Sequence, residues 1–334
     1  MSVSRTRITN KVATEPSLYF KFVNDEQTDE VRLTTQADVP LTPRQKLMWL
    51  DEELHPDIPV NTWITRFEIG TDIDAQVLCE AFFTVIARHD AWRMTVIRTD
   101  DGYKGKLLAD LPDCFEYVDF SAASDPQAEY EQWHLEKATM TFPLGTPLFY
   151  AAIVMLENSR RVFYLVQHHG TKDGTCDNVL IAELDEAYRS IKATDTLPDF
   201  EPAFSFADHM RSQDKLRGTP QWEERQKFWD DRYATPPEPC ELYGAVTESK
   251  HPKVHRVYAE VDPAVVSKIR NFLPNSAIFN VAAFAFLRTI TRNDDICVGV
   301  ALHNRTKASA NGVGLFMEIV PNRLQIDAQE SFNS

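Results

Sequence analysis

The 334-residue sequence has no CxxC pair, no surplus of positive charge and no apolar run long enough to cross a bilayer. Its five cysteines, Cys79, Cys114, Cys176, Cys240 and Cys297, are odd in number and widely spaced. That pattern argues against a disulfide framework and a zinc ribbon, and it fits a reducing, cytoplasmic setting. Lys and Arg number 35 against 50 Asp and Glu, a formal charge of −15. A field of that sign disfavours a phosphate backbone, so no nucleic-acid partner is expected. Arg5 and Arg7 are followed by no apolar block, so no secretory signal is read. The most apolar stretch, Ala277 to Ile290, is too short for a bilayer core of roughly 30 Å and contains Asn280 and Arg288. It reads as a core helix, and no membrane partner is expected. What is present, 43% hydrophobic and 25% charged residues, is a globular composition. It excludes collagen-like and disordered chains and suffices for one large domain or two medium ones.

Residues 1–38 are polar and lack periodicity; they are expected to form an N-terminal arm, with Leu18 to Val23 suited to an edge strand. Thr42 and Pro43 open a helix that continues to Leu50. Asn61 to Ile69 alternates as a strand. Asp74 to Arg88 places Val77, Leu78, Ala81, Phe82, Val85 and Ile86 at helical spacing, and Trp92 to Arg98 returns to strand, a strand–helix–strand unit. A helix is expected over Ala128 to Thr139, then a hairpin of Leu148 to Leu156 and Arg161 to Gln167 around Glu157 to Arg160. Val179, Leu184, Tyr188 and Ile191 mark a further helix, 193–205 a connector, and Phe206 to Tyr233 a polar helix. Pro236, Pro237 and Pro239 make 235–240 a stiff linker. Beyond it the pattern predicts a strand over Val254 to Val261, a helix over Pro263 to Phe272 and a buried helix over Ser276 to Thr291. Strands are expected over Ile296 to Leu302 and Leu315 to Ile326. Alternating helices and strands in two blocks predict an α/β fold of two lobes, 39–234 and 241–334.

One segment has the makings of a reactive site. A buried strand, Val162 to Val166, runs into His168 and His169; Gly170, Asp173 and Gly174 follow, and a helix begins at once. Loops at strand ends, backed by rigid elements, commonly display reactive groups, and imidazole is the side chain suited to moving a proton near neutral pH. Neighbours in extended chain point to opposite sides, so one histidine faces a cavity and the other faces packing. Asp173 is placed to orient an imidazole or to anchor the loop on an arginine. A lone histidine beside a strand is most often structural; the whole string in this setting is far more restrictive. Two rival chemistries use the same residues. A metal site would take His168, His169, Asp173 and Asp177, but adjacent histidines converge poorly on one ion and no HExxH spacing occurs. A thiolate nucleophile would be Cys176, close to a helix start.

The string His168-His169-Gly170-Thr171-Lys172-Asp173-Gly174 resembles the HHxxxDG signature of the condensation domains of nonribosomal peptide synthetases, in the chloramphenicol-acetyltransferase-like superfamily of CoA-dependent acyltransferases. Other segments agree in order. Leu41-Thr-Pro-Arg-Gln45 through Trp49-Leu50 looks like the family's opening motif, and Arg88-His-Asp-Ala-Trp-Arg93 is similar to RHExLR. Phe206-Ala-Asp208 resembles YxD, and Gln221 to Trp229 the charged helix after it. Asn293 to Gly299 with Arg305 looks like GxDDIxVGxxxxxR, and Val313 to Phe316 through Pro321-Asn-Arg323 like IGxFVNTLPxR. Glu318 and Ile319 replace the usual Asn-Thr of the last motif, and Lys172 and Cys176 are uncommon at their places. The resemblance covers residues 40–326.

The resemblance implies two chloramphenicol-acetyltransferase-like lobes in a V arrangement with a tunnel at their junction. It also implies further second-lobe elements beyond Ser334, so the second lobe reads as incomplete. It implies acyl transfer from a phosphopantetheine thioester, on a carrier protein or CoA, to an amine or alcohol acceptor in natural-product biosynthesis. By motif position His169 is the general base or positioning residue, His168 supports the loop, and Gly174 offers a backbone N–H to the oxyanion. Asp173 pairs with Arg305 across the lobe junction; Arg88, Arg93 and Arg323 are the other candidate partners. No permanently bound cofactor or metal is expected, and no cofactor-binding residue is identified. The alternative is a non-catalytic condensation-like module or inactive fragment that docks carrier proteins.

Overall fold

The computed structural model describes residues 4–9, 21–23, 35–111, 114–238, 242, 257–270 and 275–326. It is an α/β protein of two compact units, Met1–Arg217 with Asn304–Met317, and Gly218–His303 with Glu318–Ser334. The first unit contains β1 (Ser4–Thr9), β2 (Lys21–Val23), β3 (Thr35–Val39), α1 (Pro43–Leu54), β4 (Thr62–Ile69), α2 (Ala75–Arg88), β5 (Met94–Thr99) and β6 (Gly102–Leu108). It continues with β7 (Phe115–Asp119), α3 (Pro126–Ala138), β8 (Phe149–Met155), β9 (Arg161–His168), α4 (Gly174–Thr194) and α5 (Phe206–Asp214). The second holds α6 (Pro220–Arg232), α7 (Pro263–Arg270), α8 (Asn275–Thr291), β10 (Asp295–Leu302) and β11 (Glu318–Gln325).

Local chemistry explains the long elements. Thr42 and Gln45 form a reciprocal capping box at the start of α1, with Pro43 in the first turn. Asp74 caps α2 by accepting from the N–H groups of Gln76 and Val77. The main sheet runs β2-β1-β7-β8-β9-β4. Only β7 and β8 pair in parallel, joined by the α3 crossover; the other neighbours are antiparallel. β8 and β9 are buried on both faces. Phe163 meets Phe82 of α2 at 5.5 Å, while Tyr164, the next residue, meets Trp133 of α3 at 4.7 Å. Two-faced burial is why these strands read as near-continuous apolar runs.

Several expectations are corrected. β4 and β5 lie in different sheets, because β5 pairs with β6 in a separate β3-β6-β5 sheet; the strand–helix–strand unit read from periodicity is therefore not one pairing unit. Of the expected N-terminal arm, 21–23 form an edge strand of the main sheet, inside the Leu18 to Val23 stretch read as suited to one, while 4–9 also join that sheet and 35–38 pair with β6; backbone pairing needs no apolar period. The single helix expected over 206–233 ends at Asp214, and the turn that follows closes at Gly218, whose φ of +73° is left-handed. Thr219 then caps a new helix starting at Pro220. The two units divide at this break, so 235–238 falls inside the second unit, and 239–240 lies outside the described residues. There, Tyr233 Oη donates to the Pro321 carbonyl at 2.9 Å, and Arg323 Nη1 donates to the Thr235 carbonyl at 2.6 Å. Those bonds hold the end of α6 to β11.

Of the strand expected over 254–261, residues 254–256 lie outside the described residues and 257–261 form no strand, with Val257 91% exposed. The helix expected over 263–272 is described to Arg270; 271–272 lie outside. From Phe279 onward α8 is largely exposed rather than buried: Phe284 is covered, but Phe279 is 77% exposed. Its apolar residues run all round, and the neighbouring described elements cover one side. The last strand starts at Glu318, not Leu315. Gly314 turns the chain at φ +149°, against Phe206, where a Cβ would stand 2.2 Å from a ring carbon; Leu315 and Phe316 are buried as a result. No helix among the described residues is long and apolar enough to cross a membrane.

α2 and α4 are joined by charge as well as packing. Arg88 Nε and His89 Nε2 reach Glu183 Oε2 at 3.0 and 2.9 Å. Burial raises the Glu183 carboxyl, but hydrogen bonds and charge from His89 and Arg88 outweigh it and hold its pKa below the ordinary 4.5. A depressed carboxyl stabilises the fold fully above its unfolded value and loses that contribution as pH falls through the lower folded value. Glu183→Gln is expected to cost about 1–3 kcal/mol at neutral pH and to flatten the stability loss below pH 4.5. Parallel denaturation curves for the two proteins across acid pH would contradict it.

Candidate active site

β9 ends at His168, one 3-10 turn follows over His169–Thr171, and α4 begins at Gly174. The turn is enforced locally. Asp173 caps α4 by accepting from Thr175 N–H at 3.0 Å, and its own N–H donates to Cys176 Sγ at 3.4 Å. Gly170 is required by close approach, since a Cβ there would lie 2.8 Å from His168 Nδ1.

The two histidines have opposite surroundings. His168 is fully buried, stacked on Trp49 of α1 with ring centroids 4.4 Å apart and 3° between planes. Its Nδ1 accepts from Gly170 N–H at 2.9 Å, and its Nε2 donates to Glu52 Oε1 at 2.9 Å. An N–H can only donate, so Nδ1 carries no proton and His168 is the neutral Nε2–H tautomer. His169 is partly exposed. Its N–H donates to the Asn61 carbonyl at 2.7 Å, and its ring stands edge-on to Trp63 at 5.2 Å. His169 Nδ1 lies 3.0 Å from the Lys172 carbonyl. A carbonyl can only accept, so in neutral His169 the proton sits on Nδ1 and the lone pair on Nε2. No hydrogen bond to that Nε2 occurs among the described residues.

α1 braces the loop. Gln45, 1% exposed, uses its Oε1 in the capping box and donates Nε2 to the Gly170 carbonyl at 2.7 Å. Gln45→Leu would strand both the Thr42 N–H and the Gly170 carbonyl. It is expected to destabilise the first unit by about 1–3 kcal/mol, seen as a lower urea midpoint; an unchanged midpoint would show that the bond carries no stability.

Asp173 is buried among donors. Oδ1 receives Arg305 Nη2 at 2.8 Å, and Oδ2 receives the N–H groups of Phe316 and Met317 at 3.2 and 3.3 Å. Arg305 donates its other arm to the Ser309 and Gly312 carbonyls at 2.9 and 2.6 Å and lies over the Phe316 ring at 4.2 Å. Arg305 belongs to segment Asn304–Met317 of the same compact unit as Asp173; the expected pairing across a lobe junction is corrected in that respect. The other candidate arginines are engaged elsewhere: Arg88 with Glu183, Arg323 with Asp295, and Arg93 on the Leu108 carbonyl.

Burial pushes the Cys176 thiol up, the wrong direction for a thiolate nucleophile. No group of three or more His, Cys, Asp or Glu side chains among the described residues is arranged to hold a metal ion. Gly174 is exposed at the first position of α4, where backbone N–H groups have no intrahelical acceptor.

Sequence reasoning misses Glu52, Trp49 and Lys172 as parts of the site. Glu52 meets His168 across 116 positions, which no local pattern signals. Lys172 has one visible sign, a charge between the paired histidines and Asp173.

The family model for the condensation domain matches residues 35–334. A plipastatin synthase of Bacillus subtilis (strain 168) is 25% identical over 309 residues, 88% of this chain and 12% of that protein. A linear gramicidin synthase of Brevibacillus parabrevis is 26% identical over 308 residues, 88% of this chain and 6% of that protein. The chain thus spans a small part of these relatives. Among solved structures, a variant of the starter condensation domain of rhizomide synthetase in complex with C8-CoA has TM-score 0.74 at 21% identity, covering 87% of this chain and 67% of that one. The first condensation domain of the calcium-dependent antibiotic synthetase, in complex with a substrate analogue, has TM-score 0.72 at 22% identity, covering 89% and 71%. With the family model spanning most of the sequence and the fold agreeing, this chain belongs to the condensation domain family.

Proposed function

We propose that this chain carries the acyl-transfer site of a condensation reaction. The acyl group leaves a phosphopantetheine thioester, held by a carrier protein or CoA as substrate, and joins an amine or hydroxyl. His169 is the residue that moves or steers the proton. The observation that carries this reading is the His169 ring: partly exposed, its Nδ1–H on the Lys172 carbonyl, its Nε2 lone pair without a partner among the described residues.

In the proposed step the acceptor nitrogen or oxygen attacks the thioester carbonyl while Nε2 takes its proton. The carbonyl π electrons move to oxygen, and the exposed Gly174 N–H at the start of α4 favours the negative charge there. Collapse restores the carbonyl, breaks the C–S bond and expels the thiolate, which receives the proton from Nε2. One C–N or C–O bond forms, one C–S bond breaks, and a free thiol leaves. His168 and Asp173 support the loop from below, His168 on Glu52 and Trp49, Asp173 on Arg305.

The test is intact-mass detection of product, with the chain inside its complete reading frame. Octanoyl-CoA and octanoyl carrier protein serve as donors, with free and thioester-bound amino acids and small alcohols as acceptors. Acceptor mass increased by the octanoyl group, with release of thiol, supports the reading. Binding of the carrier protein with no transfer from any donor would favour a docking module instead.

A further inference from the structure

We infer that Lys172 is a positioning residue, whose buried ammonium holds the carbonyl that sets the His169 tautomer and the indole on which the His169 ring rests. The inference rests on the reading of His169 given above.

The Lys172 side chain is fully buried. Its Nζ donates to Asp177 Oδ1 of α4, lies 3.4 Å from Thr65 Oγ1 of β4, and sits over the Trp63 ring at 4.9 Å. Thr65 Oγ1 also donates to Asp177 Oδ1 at 3.1 Å, closing a triangle. One cation thus ties together β4, the first turns of α4 and the histidine loop. Burying an ammonium is unfavourable unless it is paired and hydrogen-bonded. Burial draws the Lys172 pKa down, against the opposing hydrogen bond that its ammonium donates to Asp177.

The same residue touches His169 twice through its backbone. Lys172 N–H donates to the His169 carbonyl at 3.3 Å, and the Lys172 carbonyl accepts from His169 Nδ1 at 3.0 Å. Trp63, whose face receives the ammonium, presents itself to the His169 ring at 77°. The hydrogen-bond acceptor and the ring contact of His169 are therefore both tethered to one nitrogen atom. An apolar side chain at 172 would fill the space but reach neither Thr65 nor Asp177. The loop carbonyl would then lose its anchor.

The test reads the imidazole directly. The chain is labelled with nitrogen-15 at histidine, and ring tautomers are followed by long-range proton–nitrogen correlation. His169→Ala identifies the resonance. The native ring is expected in the Nδ1–H form. Lys172→Met is expected to lower the Nδ1–H to Nε2–H ratio about three- to tenfold, as loss of one hydrogen bond implies. Lys172→Met alone leaves Asp177 unpaired, so Lys172→Met/Asp177→Asn is measured beside it. The double variant is expected to regain melting temperature but keep the altered tautomer ratio, which a purely structural lysine would not produce. A native Nδ1–H ratio in the double variant, or an Nε2–H ring in the native chain, would overturn the inference. Transfer at full rate by His169→Ala would instead overturn the catalytic reading and leave the tautomer result to stand separately.

Discussion

Asp173→Ala is expected to destabilise the first unit by about 3–5 kcal/mol, the loss typical when one partner of a buried ion pair is removed. The carboxylate and guanidinium side chains are 4% and 7% exposed, so neither is solvated without the other. Removing the carboxylate leaves the Arg305 charge with two carbonyls and a ring face, and it strands the N–H groups of Phe316 and Met317. It also uncaps α4 at Thr175. For a unit of this size the melting temperature should fall by roughly 6–20 °C. The double variant Asp173→Ala/Arg305→Met should recover part of the loss, because no buried charge is then left unpaired. Asp173→Asn should lower stability too, since an amide NH2 would face donors. A native melting temperature in Asp173→Ala would remove the ion pair from any account of the loop.

His169→Ala is expected to lower the rate of acyl transfer by ~10²–10⁴, the range typical of a general base. Its effect should fall on kcat, because an interaction made only as the proton moves does not contribute to ground-state binding. Stability should change little, since the ring is partly exposed and its side chain holds no buried charge. His168→Ala should behave in the opposite way. It would lose the stack on Trp49, leave the Gly170 N–H without its acceptor and take from Glu52 Oε1 one of its donors, the Asn61 amide remaining, so melting temperature falls first. Comparing the two variants separates chemistry from support. Transfer by His169→Ala at the native rate would remove His169 from the mechanism.

The chain's local grammar was readable. Thr42 and Pro43 at the start of α1, the Asp74 cap and apolar stripe of α2, and the hairpin of β8 and β9 follow from residues a few positions apart. β6 and β7 carry no such local signal, since both are mixed in polarity, and β7 finds its parallel partner in β8 only after the α3 crossover. At the site, extended-chain alternation predicts opposite environments for His168 and His169, and the environments are opposite, but His168 ends β9 while His169 opens a 3-10 turn. The burial of His168 depends on α1 bringing Trp49 and Glu52 against one side of β9.

The amino-acid order alone determined that a strand would run into paired histidines and that a capped helix would start at Gly174, because caps, turns and periodicity are written within a turn or two of chain. Tertiary structure alone decided that Glu52 would meet His168 and that Lys172 would be enclosed by Trp63, Thr65 and Asp177, while the Asp173–Arg305 pair, 132 positions apart, is expected only through the family resemblance. Such partners are chosen by which surfaces remain to be covered once the sheet and helices have packed. A buried charge has to find its counter-charge among whatever those surfaces present.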